Sequence, residues 1–422
     1  MRTVLLLTCL DTRHDEALYL KTLIECRGCK VIMVDISMGA CRECGAEYTC
    51  IDVAREGGTS FEKISSHKSA SAIIEPMVRG CTNITKRLYE QGAIDAIVGF
   101  GGTSNTLFVS SVMAALPFGF AKIILCSSAA MPAYSARFFA NKDITISHAC
   151  VEINGLNRFV KEMLRRFAGM VAGVALVEGS RESDVGRRAA ITEYQFSETC
   201  ARRIRDRCAT ANFEMIPFHA QGVGERIMEE MVAEGLFDAV IDLVPAGLSE
   251  AIIGGNRSAG LDRLDRELSR GVPIIFTPCG FDMVSCGPYE RRSDRFWERK
   301  SIAKRKLYVQ DELRVQARTT KHEMQVIGRV FAEKLSRAKG PTALYLPLKG
   351  FSSLSVEGGP LHDPESDMAF VRSLKNHMAG GCGLELVEMD CGVDDPSFAD
   401  SVADHLLTIM SRPLAQPSIQ HT

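Results

Sequence analysis

A chain of 422 residues is longer than one ordinary hydrophobic core supports and points to two large domains. Charged residues make up 24% of the sequence and nearly cancel, to a formal −2, so neither the basic face of a nucleic-acid binder nor an acidic tail stands out. No run approaches the ~20 apolar residues of a membrane span, and Val4–Leu7 behind Arg2 is too short for a signal-peptide core. The expectation is a cytoplasmic protein with no nucleic-acid or membrane partner, its 15 scattered cysteines reduced.

Val4–Cys9 reads as a first buried strand and Asp15–Arg27 as an amphipathic helix with Ala17, Leu18, Leu20, Leu23 and Ile24 apolar. Between them, Asp11 can orient a magnesium-bound water or a ribose hydroxyl, and Arg13 can neutralise phosphate. Asp11 or Thr12 would serve equally as a helix cap. Cys26/Cys29 and Cys41/Cys44 form two C-x-x-C pairs with the spacing of a four-thiolate zinc site. The intervening Lys30–Ile36 reads as a strand of roughly 20 Å at ~3.3 Å per residue. Zinc thiolates must converge within ~2.3 Å of one ion, so no zinc is expected. Ala40–Ser69 reads as a loop with one short helix, and Ala70–Glu90 as a helix.

The apolar stretch Ile94–Phe100 then runs directly into Gly101-Gly102-Thr103-Ser104-Asn105-Thr106. Two glycines let a ligand approach the backbone closely, and the hydroxyls and amide that follow suit phosphate oxygens and the start of a helix. Turn geometry and capping alone account for the same residue types. A helix over Thr106–Ala115 follows, then a strand Lys122–Cys126 that delivers Ser127 and Ser128 to the same edge, a strand Ile144–Ser147 and a helix Gly155–Val177. Alternating strands and helices imply a parallel sheet with right-handed crossovers. Glu178–Arg188 reads as a linker. There is no G-x-x-x-x-G-K-[ST] and no G-x-G-x-x-G after the first strand, which argues against ordinary P-loop hydrolases and dinucleotide dehydrogenases.

The second half repeats this grammar: strand Glu214–Phe218, loop His219–Gly224, helix Glu225–Glu234 and strand Asp238–Val244. Gly92–Val98 is echoed by Gly235–Ile241, a pattern that duplication or recurring turn chemistry would equally produce. Further strands are expected at Pro273–Thr277, Thr342–Leu346 and Leu384–Met389, with helix starts at Asp363-Pro364 and Asp395-Pro396. His219, beside Gly222 and Gly224, can act as acid, base or ligand, and a structural histidine fits equally. Gly222, Gly224, Glu225, Asp282 and Gly350 are candidate contacts for a ligand of this half. Lys349, in Lys349-Gly350-Phe351-Ser352, is a candidate anchor for an anionic group. The expected domains are 1–185 and 186–415, followed by a tail 416–422.

Leu116-Pro117-Phe118-Gly119, Gly155-Leu156-Asn157, Phe167-Ala168-Gly169-Met170, His219–Gly224, Asp282-Met283-Val284, Arg318-Thr319-Thr320 and Leu346–Ser352 occur as an ordered set. With them the chain resembles the Tm-one-like ATP-binding domain family over nearly its whole length. The resemblance implies an α/β protein of two Rossmann-like domains with mainly parallel sheets flanked by helices. It also implies an ATP site, possibly with magnesium as cofactor, around Asp11-Thr12 and Gly101–Thr106. This sequence departs from the family pattern where Ser104-Asn105 replace a second glycine pair and where Ser127–Met131 replace a Ser-Thr-x-Ala-Ser-Gly segment. It departs again at Val244–Gly247, where the pattern has threonines and a glutamate, and at Gln310-Asp311, where it has a His-Asn pair. The expected function is binding of a nucleotide or other phosphorylated small molecule in the first domain. Two alternatives stand beside it: an enzyme acting on a small anionic metabolite in a cleft between the domains, with His219 as base, and an oligomeric interaction protein with a degenerate nucleotide site; a homo-oligomer is expected, a dimer favoured.

Overall fold

The computed structural model describes residues 1–41, 45–66, 70–177, 186–378 and 383–411, which divide into two units, 1–182 and 183–422. The apolar runs become strands and the amphipathic runs become helices around them. In the first unit the order is β1 (Thr3–Thr8), α1 (Leu10–Glu25), β2 (Lys30–Asp35), α2 (Cys50–Glu56), α3 (Phe61–Ser66) and α4 (Ala70–Glu90). It continues through β3 (Ala96–Gly101), α5 (Thr103–Met113), β4 (Ala121–Cys126), α6 (Ser135–Phe138), β5 (Thr145–His148) and α7 (Arg158–Ala175). The five strands form one wholly parallel sheet in the order β2-β1-β3-β4-β5.

Period-two alternation explains why β1 is apolar at every central position. Leu5 and Leu7 pack with Ile97 against α2, α4 and α5, whereas Val4 and Leu6 pack with Val98 against α1 and α7. The chain leaves β1 toward β2 but re-enters beside β1 as β3. The winding therefore reverses between β1 and β3, and such a reversal opens a crevice at the strands' carboxyl ends.

In the second unit the order is β6 (Arg187–Glu193), α8 (Glu198–Thr210), β7 (Phe213–His219), α9 (Val223–Ala233), β8 (Ala239–Asp242), α10 (Ala246–Ile253), α11 (Asp265–Arg270) and β9 (Ile274–Phe276). An insertion follows, with β10 (Met283–Ser285), α12 (Arg295–Arg299), β11 (Leu307–Val309) and β12 (Val315–Arg318). The unit ends with α13 (Lys321–Leu335), β13 (Thr342–Pro347), α14 (Pro364–His377), β14 (Leu384–Met389) and α15 (Pro396–Ser411). The main sheet is again wholly parallel, in the order β14-β13-β9-β8-β6-β7, and the insertion forms a small antiparallel sheet β10-β12-β11. The second sheet is thus wound like the first with one further strand, and its reversal lies between β6 and β8. The echoing Gly92 and Gly235 segments enter β3 and β8, the third strand of each sheet.

Several expectations need correction. Helix α1 is broken at Arg13 (φ −136°): its main part begins beside the expected Asp15, and a short turn from Leu10 precedes it, its first amides satisfied from another strand end, Leu10 N donating to Asp35 Oδ1 at 3.2 Å and Asp11 N to Ser37 Oγ at 2.9 Å. No local capping signature marks such a start. Ala40–Ser69 holds two helices, not one; α2 opens with a capping box between Thr49 and Asp52. The expected linker ends inside β6, since residues 187–193 pair with β7 and β8, while 178–185 lie outside the described residues. Helices α8, α10, α11, α12 and α13 and the antiparallel sheet lie where the sequence pattern predicts no element. Asp363 does cap α14, accepting from Ser366 N, and Asp395 Oδ1 accepts from Ser397 N at 2.8 Å where α15 begins. The tail 416–422 lies outside the described residues, as do 42–44 of the second cysteine pair; β2 separates Cys26 and Cys29 from Cys41. Among the described residues no helix is long and apolar enough to cross a membrane.

Candidate functional site

The first crevice is assembled from the ends of β1, β3 and β4. Gly101 has φ +149°, and a Cβ there would lie 2.8 Å from Asn105 Cβ, so only glycine fits this last residue of β3. Gly102, at φ −92° and ψ −162°, is the N-cap of α5 and offers no side chain to it. Among the described residues, the first-turn amides of Thr103, Ser104 and Asn105 therefore have no capping side chain. Thr106 N bonds Gly102 O at 3.0 Å, and Thr106 Oγ1 bonds the same carbonyl at 2.9 Å, which fixes the turn rather than the ligand.

Hydroxyls surround these amides. Thr103 Oγ1 and Ser128 Oγ are 2.8 Å apart, and Ser127 Oγ donates to Glu152 Oε1 at 3.2 Å. Ser104 is exposed. The Asn105 side chain turns back: its Nδ2 donates to Phe100 O at 2.7 Å and its Oδ1 accepts from Cys9 Sγ at 3.0 Å. Its bulk is thus spent on holding β1 to β3. On the β1 side, Asp11 Oδ2 accepts from Gly39 N at 3.2 Å. Thr12 is exposed, and Arg13 is non-helical within α1 at φ −136°, with its Nη1 on Thr12 O. Burial, with Asp11 and Asp35 beside it, pushes the Cys9 thiol up to about 12, so it is no nucleophile.

The second crevice is a cleft of about 580 Å³ lined by residues of the second unit. Glu193 and Tyr194 at the end of β6 and His219, the last residue of β7, form one side; Asn256 and Arg257 beyond α10 and Gln316 of β12 form another. His219 is exposed, and its backbone is locked by a close approach: a Cβ on Gly224 would lie 2.3 Å from His219 O. Gly222, at φ +79°, is equally constrained by Arg257 and Ser258 carbonyls. These two glycines let the start of α9 pack closely against His219 and the Arg257–Ser258 backbone.

The other sequence candidates of this half do not join His219. Lys349 is exposed, pairs with Asp390 at 2.8 Å and follows β13. β13 lies four strand positions from β7, roughly 19 Å at ~4.8 Å per spacing. A single small substrate does not bridge base and anchor across that distance. Gly350 (φ +128°) makes a tight turn against Val356. Asp282 is fully buried, accepting from Ser352 Oγ through Oδ2 while its carbonyl accepts from Arg318 Nη1 at 2.8 Å.

Glu225 is also fully buried, and it accepts two backbone amides, Gly222 N at 2.9 Å and Gly247 N at 2.8 Å. It therefore fills from within the anion position at the starts of both α9 and α10. Beside it lies Arg263, entirely buried, which meets Asp242 at 2.6 Å, Glu267 at 2.8 Å, Glu225 at 3.3 Å and Glu229 at 3.6 Å. One guanidinium cannot neutralise four carboxylates. Burial pushes Glu225 up to about 7 and raises Glu229 and Glu267 as well, with Arg263 opposing the shift.

Arg257, Tyr194 and Gln316 carried no sequence signal, since none belongs to a motif or a periodic face. Ser37 and Gly39, which hold Asp11, were hidden in an unpatterned loop. No group of three or more His, Cys, Asp or Glu stands ready for a metal among the described residues.

Comparison with known proteins accords with this two-unit architecture. Residues 2–180 match the N-terminal domain, and residues 187–410 the C-terminal domain, of the Uncharacterised protein family (UPF0261). A UPF0261 protein of Clostridium tetani is 30% identical over 413 residues, covering 97% of this chain and all of that protein. One from Brucella suis is 26% identical over 392 residues, covering 92% of this chain and 91% of that protein. The ToMV resistance protein Tm-1(GCR237) of Solanum lycopersicum is 28% identical over 320 residues, covering 74% of this chain but only 41% of the tomato protein. Matched by both family domains and by a full-length relative, the chain belongs to the UPF0261 family.

Proposed function

We propose that the first domain binds a phosphorylated small molecule of the nucleotide class, with its phosphates on the uncapped amino terminus of α5. The observation that carries this reading is the pairing of that terminus with the reversal point between β1 and β3, the position at which open parallel sheets receive ligands. Thr103 and Ser128 supply hydroxyl donors beside the amides, and Gly102 leaves space: a Cβ there meets only Ser127 Oγ, at 3.6 Å. The resemblance to an ATP-binding family supports a nucleotide over a simple anion. Because Asn105 folds back onto Phe100 and Cys9, its replacement of a glycine does not close the approach. Asp11 is the carboxylate offered to an accompanying magnesium ion, which keeps most of its waters and needs one or two protein oxygens. The ion would neutralise phosphate charge there.

A denaturation series with ATP and ADP, each with and without magnesium, tests the reading. Ligand at 100 times its Kd raises stability by about 2.7 kcal/mol. Absence of any saturable rise with either nucleotide overturns the proposal. The chemistry performed on the ligand, the cytoplasmic location and the dimer expected from the sequence are separate proposals; sedimentation of the purified protein tests the last.

A further inference from the structure

Among the described residues, two buried polar atoms of side chains lining the second-domain cleft have neither a hydrogen bond nor an ion pair. Arg257 is 5% exposed and Gln316 is 1% exposed, and both line the cleft. Arg257 spends Nε and Nη2 on Glu250 Oε1, at 2.9 and 2.7 Å, and its guanidinium carbon lies 4.2 Å from the ring centroid of Tyr194. Its Nη1 has no hydrogen-bond partner among the described residues. Gln316 donates through Nε2 to Tyr194 Oη at 3.1 Å, while its Oε1 has none. Leaving a buried donor or acceptor unmade is costly, most of all on a charged group, and such orphans in a lined cavity mark where a ligand completes the hydrogen bonding.

From this pair we infer that the second-domain cleft binds a small carboxylic acid that carries a donor group, ammonium or hydroxyl, with its carboxylate on Arg257 and its donor on Gln316. The guanidinium is a fixed planar donor suited to a carboxylate, and Tyr194 and Glu250 hold that plane in place. Gln316 Oε1 accepts and does not donate, so the ligand must bring the proton. A dianionic phosphate is disfavoured. Arg257 is already shared with Glu250, Arg314 is tied to Asp311 at 2.7 Å, Glu193 is paired with Arg205 at 2.8 Å, and Glu198 adds a further carboxylate to the lining. A ligand of one negative charge, balanced or accompanied by a donor, matches that lining. The rings of Tyr194 and Phe218 provide an apolar wall for its remainder, and the volume of about 580 Å³ is within the range of metabolite sites. This site is independent of the phosphate reading of the first domain and stands if that reading fails.

Two matched trios separate the sources of the chemistry: L-alanine, L-lactate and propionate, and L-phenylalanine, L-phenyllactate and 3-phenylpropionate. Each is titrated calorimetrically into the full chain beside inorganic phosphate, at constant ionic strength. The amino or the hydroxy member of a trio is expected to bind at least about 10-fold more tightly than the member without a donor, the effect of one hydrogen bond to a buried polar group. Which of the two wins identifies the class. In the double variant Arg257→Met/Glu250→Gln, which leaves no lone buried charge, binding falls by at least about 10-fold. Gln316→Met, which keeps the bulk, is expected to erase the preference within a trio, and it serves alone if the double variant does not fold. No saturable binding by any of the six, equal affinity across each trio, tighter binding of phosphate, or unchanged binding in Gln316→Met each overturns the inference.

Discussion

The two domains share one winding but treat the same helix start in opposite ways. In the first, α5 follows the third strand with no side chain on its leading amides; in the second, α10 follows the third strand and Gly247 N is taken by Glu225. A protein's own carboxylate performs in the second domain what a ligand phosphate is proposed to perform in the first. The second domain's open chemistry has moved outward, to Arg257 and Gln316 beside the inserted antiparallel sheet. The same fold thus carries two different capping states at one helix start, and the proposed ligand position rests on that difference.

The contrast breaks most visibly at Arg263. Replacing it with Met leaves Glu225, Glu229, Asp242 and Glu267 facing one another in the core, and a loss of about 3–5 kcal/mol is expected from urea denaturation. Nucleotide-dependent stabilisation of the first domain should survive this change. A loss under 1 kcal/mol would show that the cluster is already largely protonated and that Arg263 is dispensable.

The same cluster gives the second domain a pH dependence of known sign. Between the ordinary Glu value of 4.5 and about 7, folded Glu225 retains a proton that the unfolded chain has released. Its contribution is fully present below the lower value and is lost as pH rises through the upper one. Glu225 alone should make stability fall by up to roughly 3 kcal/mol across this window, and the raised Glu229 and Glu267 add falls of the same sign. Denaturation midpoints from pH 4.5 to 8, with Glu225→Gln as the variant that makes the slope shallower, measure this; stability rising over the same interval, or an unchanged slope in the variant, would contradict it.

At the first crevice the two adjacent glycines separate cleanly. Gly101→Ala forces a side chain into φ +149° and onto Asn105, and should cost about 1–3 kcal/mol. Gly102→Ala meets only Ser127 Oγ at 3.6 Å in an ordinary backbone conformation, and should change stability by about 0.5 kcal/mol or less. Equal costs at the two positions would mean that the turn is held differently.

Much of this framework was legible in the residues. Buried parallel strands are continuous apolar runs, so Val4–Cys9, Lys30–Ile36 and Thr342–Leu346 announced themselves, and Asp-Pro pairs marked α14 and α15. Strands of three or four residues, such as β10 and β11, carry no periodicity to read. Helix α8 hid behind its arginines, although Cys200, Ala201, Ile204 and Cys208 trace its buried stripe, and Met324, Ile327, Gly328 and Phe331 would have marked α13. The first crevice could be located because its glycines abut an apolar strand. The second could be entered only through His219. Strand order, which the sequence does not carry, separates Lys349 from it and brings Arg257 near instead.

The smallest structural change is the most direct test. Gly102→Asp places a carboxylate at the N-cap of α5, where backbone angles and space admit it, and should raise stability by about 0.5 kcal/mol through capping and the helix dipole. It would give the first domain the internal carboxyl cap that Glu225 gives the second. The account predicts that magnesium ATP stabilises the wild-type protein but no longer stabilises Gly102→Asp. An undiminished nucleotide response in a folded Gly102→Asp protein would contradict it.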